Sequence, residues 1–148
     1  MVERFVNIRE MTQDDIPEVV MLDLKVSGLE GPVAKSGVVD SYVSGDLGLS
    51  CVAETAGKVV GYILGRLAYT PGPITKAAWI QLIGVAPAYR RKKIGRRLID
   101  RFRQRCQERD VSMVHISVPA QDVGSHKFLQ QCGFLRAEWI HFSAPVLK

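Results

Sequence analysis

The stretch Ile80-Gln81-Leu82-Ile83-Gly84-Val85-Ala86-Pro87-Ala88-Tyr89-Arg90-Arg91-Lys92-Lys93-Ile94-Gly95-Arg96-Arg97-Leu98 reads as strand, short loop, basic turn and helix start. The apolar run ends at Pro87, which cannot continue a ladder. Ile94, Leu98, Phe102 and Cys106 then recur at helical spacing and leave arginines on the other faces. The first turn of such a helix has unpaired backbone N–H groups and the positive end of a dipole, a pairing that suits a phosphate. Gly95 lets the backbone approach a ligand closely. The guanidinium and ammonium groups of Arg90, Arg91, Lys92, Lys93 and Arg96 add charge and, for arginine, paired hydrogen bonds.

Charge is concentrated at this point. The 148 residues carry 20 bases and 15 acids, a net +5. Nine of those bases lie between Arg90 and Arg105 against the single acid Asp100, which puts the segment at +8 and the remainder of the chain at −3. One positive site on a mildly acidic body points to a local anion. A basic helix that binds nucleic acid is the alternative for such a run, but Tyr89 and Phe102 are its only aromatic company and Phe102 sits on the apolar face. Nucleic acid is therefore a disfavoured partner.

Outward from the stretch, the chain reads as one mixed domain over residues 1–148. A strand is expected near residues 3–10. A helix follows from Thr12-Gln13-Asp14-Asp15 to about Lys25, with Ile16, Val19, Val20 and Leu24 as its apolar face. Residues 27–48 read as a loop with a second, short helix around Val38–Val43. Leu49–Glu54 and Lys58–Leu67 form a hairpin across Thr55-Ala56-Gly57. Thr70-Pro71-Gly72-Pro73 breaks the chain before a strand over Ala77–Val85. After the basic helix come a strand over Val111–Val118 and a helix opened by Asp122, with Ser125, Phe128, Leu129 and Cys132 on its inner face and Gly133 as its stop. Phe134–Phe142 is expected to close the chain with one or two strands. The order β-α-α-β-β-β-α-β-α-β implies a mixed α/β sheet with helices on both faces.

Several function classes are disfavoured. No apolar run approaches the ~20 residues needed to cross a bilayer, and the first residues lack the apolar block of a secretion signal, so a cytoplasmic protein without a membrane partner is expected. Cys51, Cys106 and Cys132 are odd in number and widely spaced, and His115, His126 and His141 share no spacing; no metal site is expected. An oligomeric state is not encoded in any motif, and a homodimer is compatible with the sequence.

The 80–98 stretch resembles motif A of the GNAT superfamily of N-acetyltransferases, in which Arg/Gln-x-x-Gly-x-Gly/Ala follows a strand. Arg90 matches the first position and Gly95 the last, while Lys93 stands where the family usually has its first glycine. A second family pattern, Asn-x-x-Ala-x-x-Phe-Tyr-x-x-x-Gly-Phe, is met downstream by Asp122, Ser125, Phe128, Leu129 and Gly133-Phe134. The resemblance spans most of the chain, with specific motifs in its second half. It implies a GNAT-like fold and an acetyl-coenzyme A-dependent transfer to an amine of a small molecule or protein. Ile83, Gly84 and Val85 would line the pantetheine arm. Arg90, Arg91, Lys92, Lys93, Ile94, Gly95 and Arg96 would wrap the pyrophosphate, with Asp122, Ser125 and Phe128 beside the cofactor.

The catalytic residues stay unknown. Where members carry a carboxylate or tyrosine for proton transfer, this chain has Gln81, Ser117 and Leu129, none of which titrates near neutrality. Glu54, Tyr42, Tyr62 and His115 are alternative carriers, with the backbone N–H near Val85 polarising the carbonyl. A protein that binds acyl-CoA for sensing or regulation without turnover fits the same motifs.

Overall fold

The computed structural model describes residues 5–27, 42–43, 48–70 and 75–147. They fall into two compact units, Met1–Ser117 and Val118–Lys148. The first unit holds a five-stranded sheet in the order β1-β2-β3-β4-β5. Its strands are β1 (Asn7–Glu10), β2 (Cys51–Thr55), β3 (Lys58–Thr70), β4 (Thr75–Val85) and β5 (Val114–Ile116), and its helices are α1 (Ile16–Ser27) and α2 (Ile94–Glu108). The first four strands are antiparallel neighbours, and β5 joins β4 in parallel. The second unit holds α3 (Val123–Gln131). The mixed sheet agrees with the order expected from sequence; the short helix expected within residues 27–48 and the break at Pro71–Pro73 fall largely outside the described residues.

Local chemistry explains each element. In the hairpin between β2 and β3, Ala56 (φ +50°) and Gly57 (φ +75°) form the two-residue turn, both left-handed as the twist of the flanking strands requires. Before α1, a short 3₁₀ turn at Gln13–Asp15 is closed by the Thr12 N–H, which donates to the Asp15 carboxylate at 2.8 Å. The helix after Asp122 starts where the sequence placed it, because that side chain accepts from the Ser125 N–H at 3.1 Å and from the Ser125 hydroxyl at 2.6 Å. Gly133 ends it at φ +90°.

The sheet is covered on both faces in the first unit. At Gly61 an added Cβ would meet Leu98 and Ile94, and at Gly65 it would meet the ring of Phe102, so α2 lies against that face of β3. The alternate residues Tyr62 and Leu64 pack in a cluster with Val19 and Leu22 of α1, as the two-residue period of a strand requires. The two faces bury Phe102, Leu98, Ile99 and Ile94 on one side and Tyr62, Leu64 and Val19 on the other.

Four expectations are corrected. On α1, expected to bury Ile16, Val19, Val20 and Leu24, Val19 and Leu22 are buried with Ile16 and Val20 packed against their cluster, and the unexpected member is the buried carboxylate of Asp23. Arg105 is buried rather than solvated; it donates to the Ser50 carbonyl at 3.1 Å and pairs with Glu10 at 3.3 Å. The strand expected over Val111–Val118 shortens to three residues, because the Val111 N–H still bonds the Cys106 carbonyl at 3.0 Å as part of the turn closing α2. Residues 134–142 form no strand among the described residues; alternation is a local signal, and a ladder also needs a neighbour to take its N–H and C=O groups.

Candidate cofactor site

Strand β4 outruns its parallel neighbour. Pairing with β5 covers only Ala78, Trp79 and Ile80, while β4 continues to Val85. Register explains what the extra length exposes. Leu64 faces Leu82 but Gly65 faces Ile80, so Gln81 is an additional residue on β4, a bulge at the point where pairing with β5 stops. Beyond it, the Ala86 N–H bonds the Val60 carbonyl at 2.8 Å. Antiparallel strands alternate bonded and non-bonded pairs, so Gly84 and Ala86 bond inward to β3 while Ile83 and Val85 turn their N–H and C=O groups to the opposite edge. Arg90 confirms the direction, since its Nε donates to the Val85 carbonyl at 3.2 Å. Among the described residues no strand covers this edge, which leaves the N–H groups of Ile83 and Val85 as donors for an extended ligand.

The edge leads into the basic turn. Pro87–Tyr89 form a 3₁₀ turn, and Lys92 Nζ lies 5.5 Å from the centre of the Tyr89 ring, a cation–π distance. Arg91 adopts φ +63° and Lys93 φ +62°. The glycine that motif A would place at residue 93 is therefore replaced by a lysine in the left-handed conformation such a glycine serves. Lys93 caps α2 with its backbone alone, without a side-chain bond. A left-handed residue followed by helical ones turns consecutive N–H groups to a common centre, an anion-binding concavity. Ile94, 2% exposed, anchors the turn in the core, while Arg91, Lys92, Lys93 and Arg96 stay exposed.

Other cations of the segment serve the fold. Arg97 donates to the Val6 carbonyl at 2.8 Å, Arg105 is buried as described, and Arg101 approaches Glu108 at 3.8 Å. The positive charge available to a ligand is thereby focused at the N-terminal end of α2.

On the α1 face, near the bulge, the Tyr42 hydroxyl donates to Gln81 Oε1 at 3.2 Å, and the Arg66 guanidinium lies 5.2 Å from the Tyr42 ring centre. Trp79 and His115, register partners on β4 and β5, stack at 4.8 Å. Sequence reasoning missed these contacts, because neither pair has a spacing signature. The same holds for a buried carboxylate network. Asp23 is fully buried and its Oδ1 accepts from the Tyr62 hydroxyl at 2.5 Å and from Ser27 at 2.9 Å. Its Oδ2 has no hydrogen-bond partner among the described residues. Tyr62 in turn lies against β4: a Cβ on Gly84 would stand 2.5 Å from its hydroxyl, so residue 84 has to be glycine for the phenol to fit.

The proposed proton carriers are largely engaged. Glu54 pairs with Arg9 at 3.0 Å, which holds its carboxyl below the usual range and weakens it as a base. Burial and the neighbouring Asp23 push the Tyr62 phenol well above its ordinary value, so it stays protonated. Burial pushes the Cys106 thiol up to about 11; all three cysteines are buried. In the second unit, Asp122 and Ser125 are occupied with each other at the cap of α3, and the Ser125 bonds hold the Asp122 carboxyl low. Phe128 is half-buried and Leu129 buried on the same helix. No cluster of metal-ligating side chains occurs among the described residues, and no described helix is long and apolar enough to cross a membrane.

Comparison with known proteins gives a consistent picture. A family model described as the acetyltransferase (GNAT) family matches residues 21–134. Among solved structures, the aminoglycoside N-acetyltransferase AAC(6')-Iy in complex with CoA superposes with a TM-score of 0.81 at 17% identity, over 99% of this chain and 98% of that one. The aminoglycoside 6'-N-acetyltransferase AAC(6')-Ih from Acinetobacter baumannii does so with a TM-score of 0.81 at 16% identity, over 97% and 100%. A ribosomal-protein-alanine N-acetyltransferase from Brucella melitensis biovar Abortus 2308 gives 0.74 at 20% identity, over 95% and 99%. At these identities the likeness is one of fold. No curated protein sequence matched the chain.

Proposed function

Since the chain belongs to the acetyltransferase (GNAT) family, we propose that it binds acetyl-coenzyme A along the open edge of β4 and transfers the acetyl group to an amine of a small molecule or protein. The observation that carries this reading is the continuity of the uncovered N–H groups of Ile83 and Val85 with the left-handed turn at Lys93 and the start of α2. An amide-bearing arm can bond the strand edge as another strand does, and a diphosphate suits the convergent N–H groups and exposed cations of residues 91–96. In this reading residues 1–148 serve as one cytoplasmic acetyltransferase domain.

The reaction requires a neutral amine, a polarised carbonyl and a proton for the departing thiolate. The Val85 N–H is the donor in place for the carbonyl oxygen, which becomes negative as the amine adds and the C–S bond breaks. The ammonium acceptor first loses one proton to water; after the neutral amine adds, its nitrogen gives up a second proton, which passes through water to the departing thiolate to leave the amide and the free thiol. Positioning along the strand edge supplies the remaining advantage by making the attack effectively intramolecular.

A second reading, binding of acyl-CoA without turnover, is favoured by one observation: Glu54 and Tyr62 are held by Arg9 and Asp23, and Gln81, Ser117 and Leu129 cannot act as acid or base. A single experiment separates the two. Acetyl-CoA and desulfo-CoA are titrated calorimetrically, and free thiol is then followed with a panel of peptides, polyamines and small amines. Micromolar binding with thiol release supports transfer; binding without release for any amine favours the second reading. Gly95→Glu places a carboxylate against the phosphates and is expected to abolish binding, so unchanged affinity would remove the turn from the site.

A further inference from the structure

Beside the β4 bulge, the α1 face of the sheet carries a connected group of side chains that the transfer chemistry does not use. Tyr42 packs in the α1-face cluster with Tyr62 and Leu64, and its hydroxyl reaches Gln81 Oε1 at 3.2 Å. Arg66 continues the alternation of Tyr62 and Leu64 on that face, and its guanidinium lies 5.2 Å from the centre of the Tyr42 ring. Arg66 and Trp79 stand opposite each other on β3 and β4, so their side chains leave the same face as neighbours. Trp79 in turn stacks on His115 of β5 at 4.8 Å. All five residues belong to the first unit. One face of each ring is taken, that of Tyr42 by the guanidinium and that of Trp79 by the imidazole, which leaves Arg66 as the group with charge to offer. Among the described residues it forms no ion pair. Carboxylates of the surrounding elements are committed elsewhere: Asp15 and Glu54 to Arg9, Glu18 to the Val59 N–H at 3.0 Å, and Asp23 to Tyr62 and Ser27.

We propose that this group is the acceptor side of the site, and that Arg66 selects a peptide amine followed by a carboxylate in preference to a polyamine. The inference rests on the acetyl transfer proposed above and gives its acceptor a chemical class. A guanidinium held on an aromatic ring presents its fork of N–H groups to a carboxylate through paired hydrogen bonds, and it has less side-chain freedom left to lose on binding. A polyamine would instead bring like charge against Arg66. Distance sets the length of the acceptor. Arg66 is three residues along β3 from Ile63, the partner of Ile83, and five from Gly61, the partner of Val85. At ~3.3 Å per residue it therefore lies roughly 10–17 Å along the sheet from the edge where the thioester is placed. A free amino acid is too short for that span. An extended peptide meets it with an acidic side chain at about its third to fifth residue.

The test uses short alanine–serine peptides with a free N-terminus and a single glutamate, glutamine or lysine at the third, fourth or fifth position. They are titrated calorimetrically into the full chain with and without saturating desulfo-CoA. The same peptides are then supplied with acetyl-CoA while free thiol is followed. At one of the three positions glutamate should bind about tenfold or more tighter than glutamine, with lysine the weakest. Arg66→Gln should erase that difference and Arg66→Glu should invert it toward lysine, with circular dichroism and acetyl-CoA affinity showing that each variant is folded. Equal binding of the three series, no binding of any peptide, or a glutamate preference that survives in Arg66→Glu would each overturn the assignment. The two proposals fail separately. A glutamate preference without thiol release from any amine keeps the selection by Arg66 and removes transfer, whereas release that ignores peptide charge keeps transfer and removes the selection.

Discussion

Replacing Lys93 by glycine pulls apart two effects that the basic turn combines. Lys93 holds φ +62° and ψ +18°, a left-handed conformation that costs a residue with a Cβ roughly 1–2 kcal/mol. Glycine adopts it without strain but loses about 0.5–1 kcal/mol more backbone entropy on folding. The difference is a net stabilisation of ~0.5–1 kcal/mol, a rise in melting temperature of about 1–4 °C for a chain of this size. The same change removes an exposed ammonium from the phosphate end of the site. A solvent-exposed charge contact changes affinity by about two- to fivefold at low salt, and the effect fades as the screening length shrinks from ~30 Å at 0.01 M to ~8 Å at 0.15 M. Lys93→Gly should therefore melt higher without ligand yet bind acetyl-CoA more weakly at low salt, with the two affinities converging as salt is added. Scanning calorimetry and isothermal titration at two ionic strengths read both effects. A lower melting temperature would refute the left-handed assignment. Binding at low salt that is unchanged or tighter would refute the contribution of the ammonium.

The Arg9 cluster predicts a pH-dependent penalty. Arg9 forms two hydrogen bonds of 2.8 Å to Asp15, and this guanidinium holds the Asp15 carboxyl below its ordinary value of 3.8. A depressed carboxyl pKa stabilises the fold above the unfolded value and ceases to do so as pH falls through the folded one. Arg9→Met should thus cost about 1–2 kcal/mol at pH 7, and the gap in urea midpoints should close below about pH 4; a gap constant down to pH 2.5 would contradict the assignment. Among the described residues Tyr62→Phe leaves the buried Asp23 with Ser27 as its one remaining donor and should destabilise by about 1–3 kcal/mol. An unchanged denaturation midpoint at pH 7 would show that the phenol bond contributes nothing net.

What could be read from sequence was set by local physics. The hairpin at Ala56-Gly57, the α2 stripe of Ile94, Leu98 and Phe102, the Asp122 cap and the stop at Gly133 each depend on residues within a few positions, and each formed as expected. The basic turn was legible for the same reason, since its cations are contiguous. Features that depend on distant partners were not. Asp23 reads as a solvated helix residue until Tyr62, 39 positions away, brings it a hydroxyl. Arg105 reads as surface until Glu10 of β1 and Ser50, just before β2, meet it. The extra residue at Gln81 is a matter of register between β3 and β4, and no spacing within either strand reveals it. The left-handed backbone at Arg91 has no signature either, because an arginine there gives no hint of the conformation a glycine would advertise. Phe134–Phe142 fails in the opposite direction, carrying the pattern of a strand without a neighbour in the described chain.

The central claim is that the cofactor lies along the open edge of β4 and ends at the N-terminus of α2. Amide chemical-shift mapping of the ¹⁵N-labelled chain with acetyl-CoA tests it most directly. The account predicts the largest changes at the N–H groups of Ile83, Val85, Lys93, Ile94 and Gly95, with Gly84 and Ala86, whose N–H groups point to β3, moving less. Saturating ligand that leaves Ile83, Val85 and Gly95 in place while shifting amides elsewhere would contradict it.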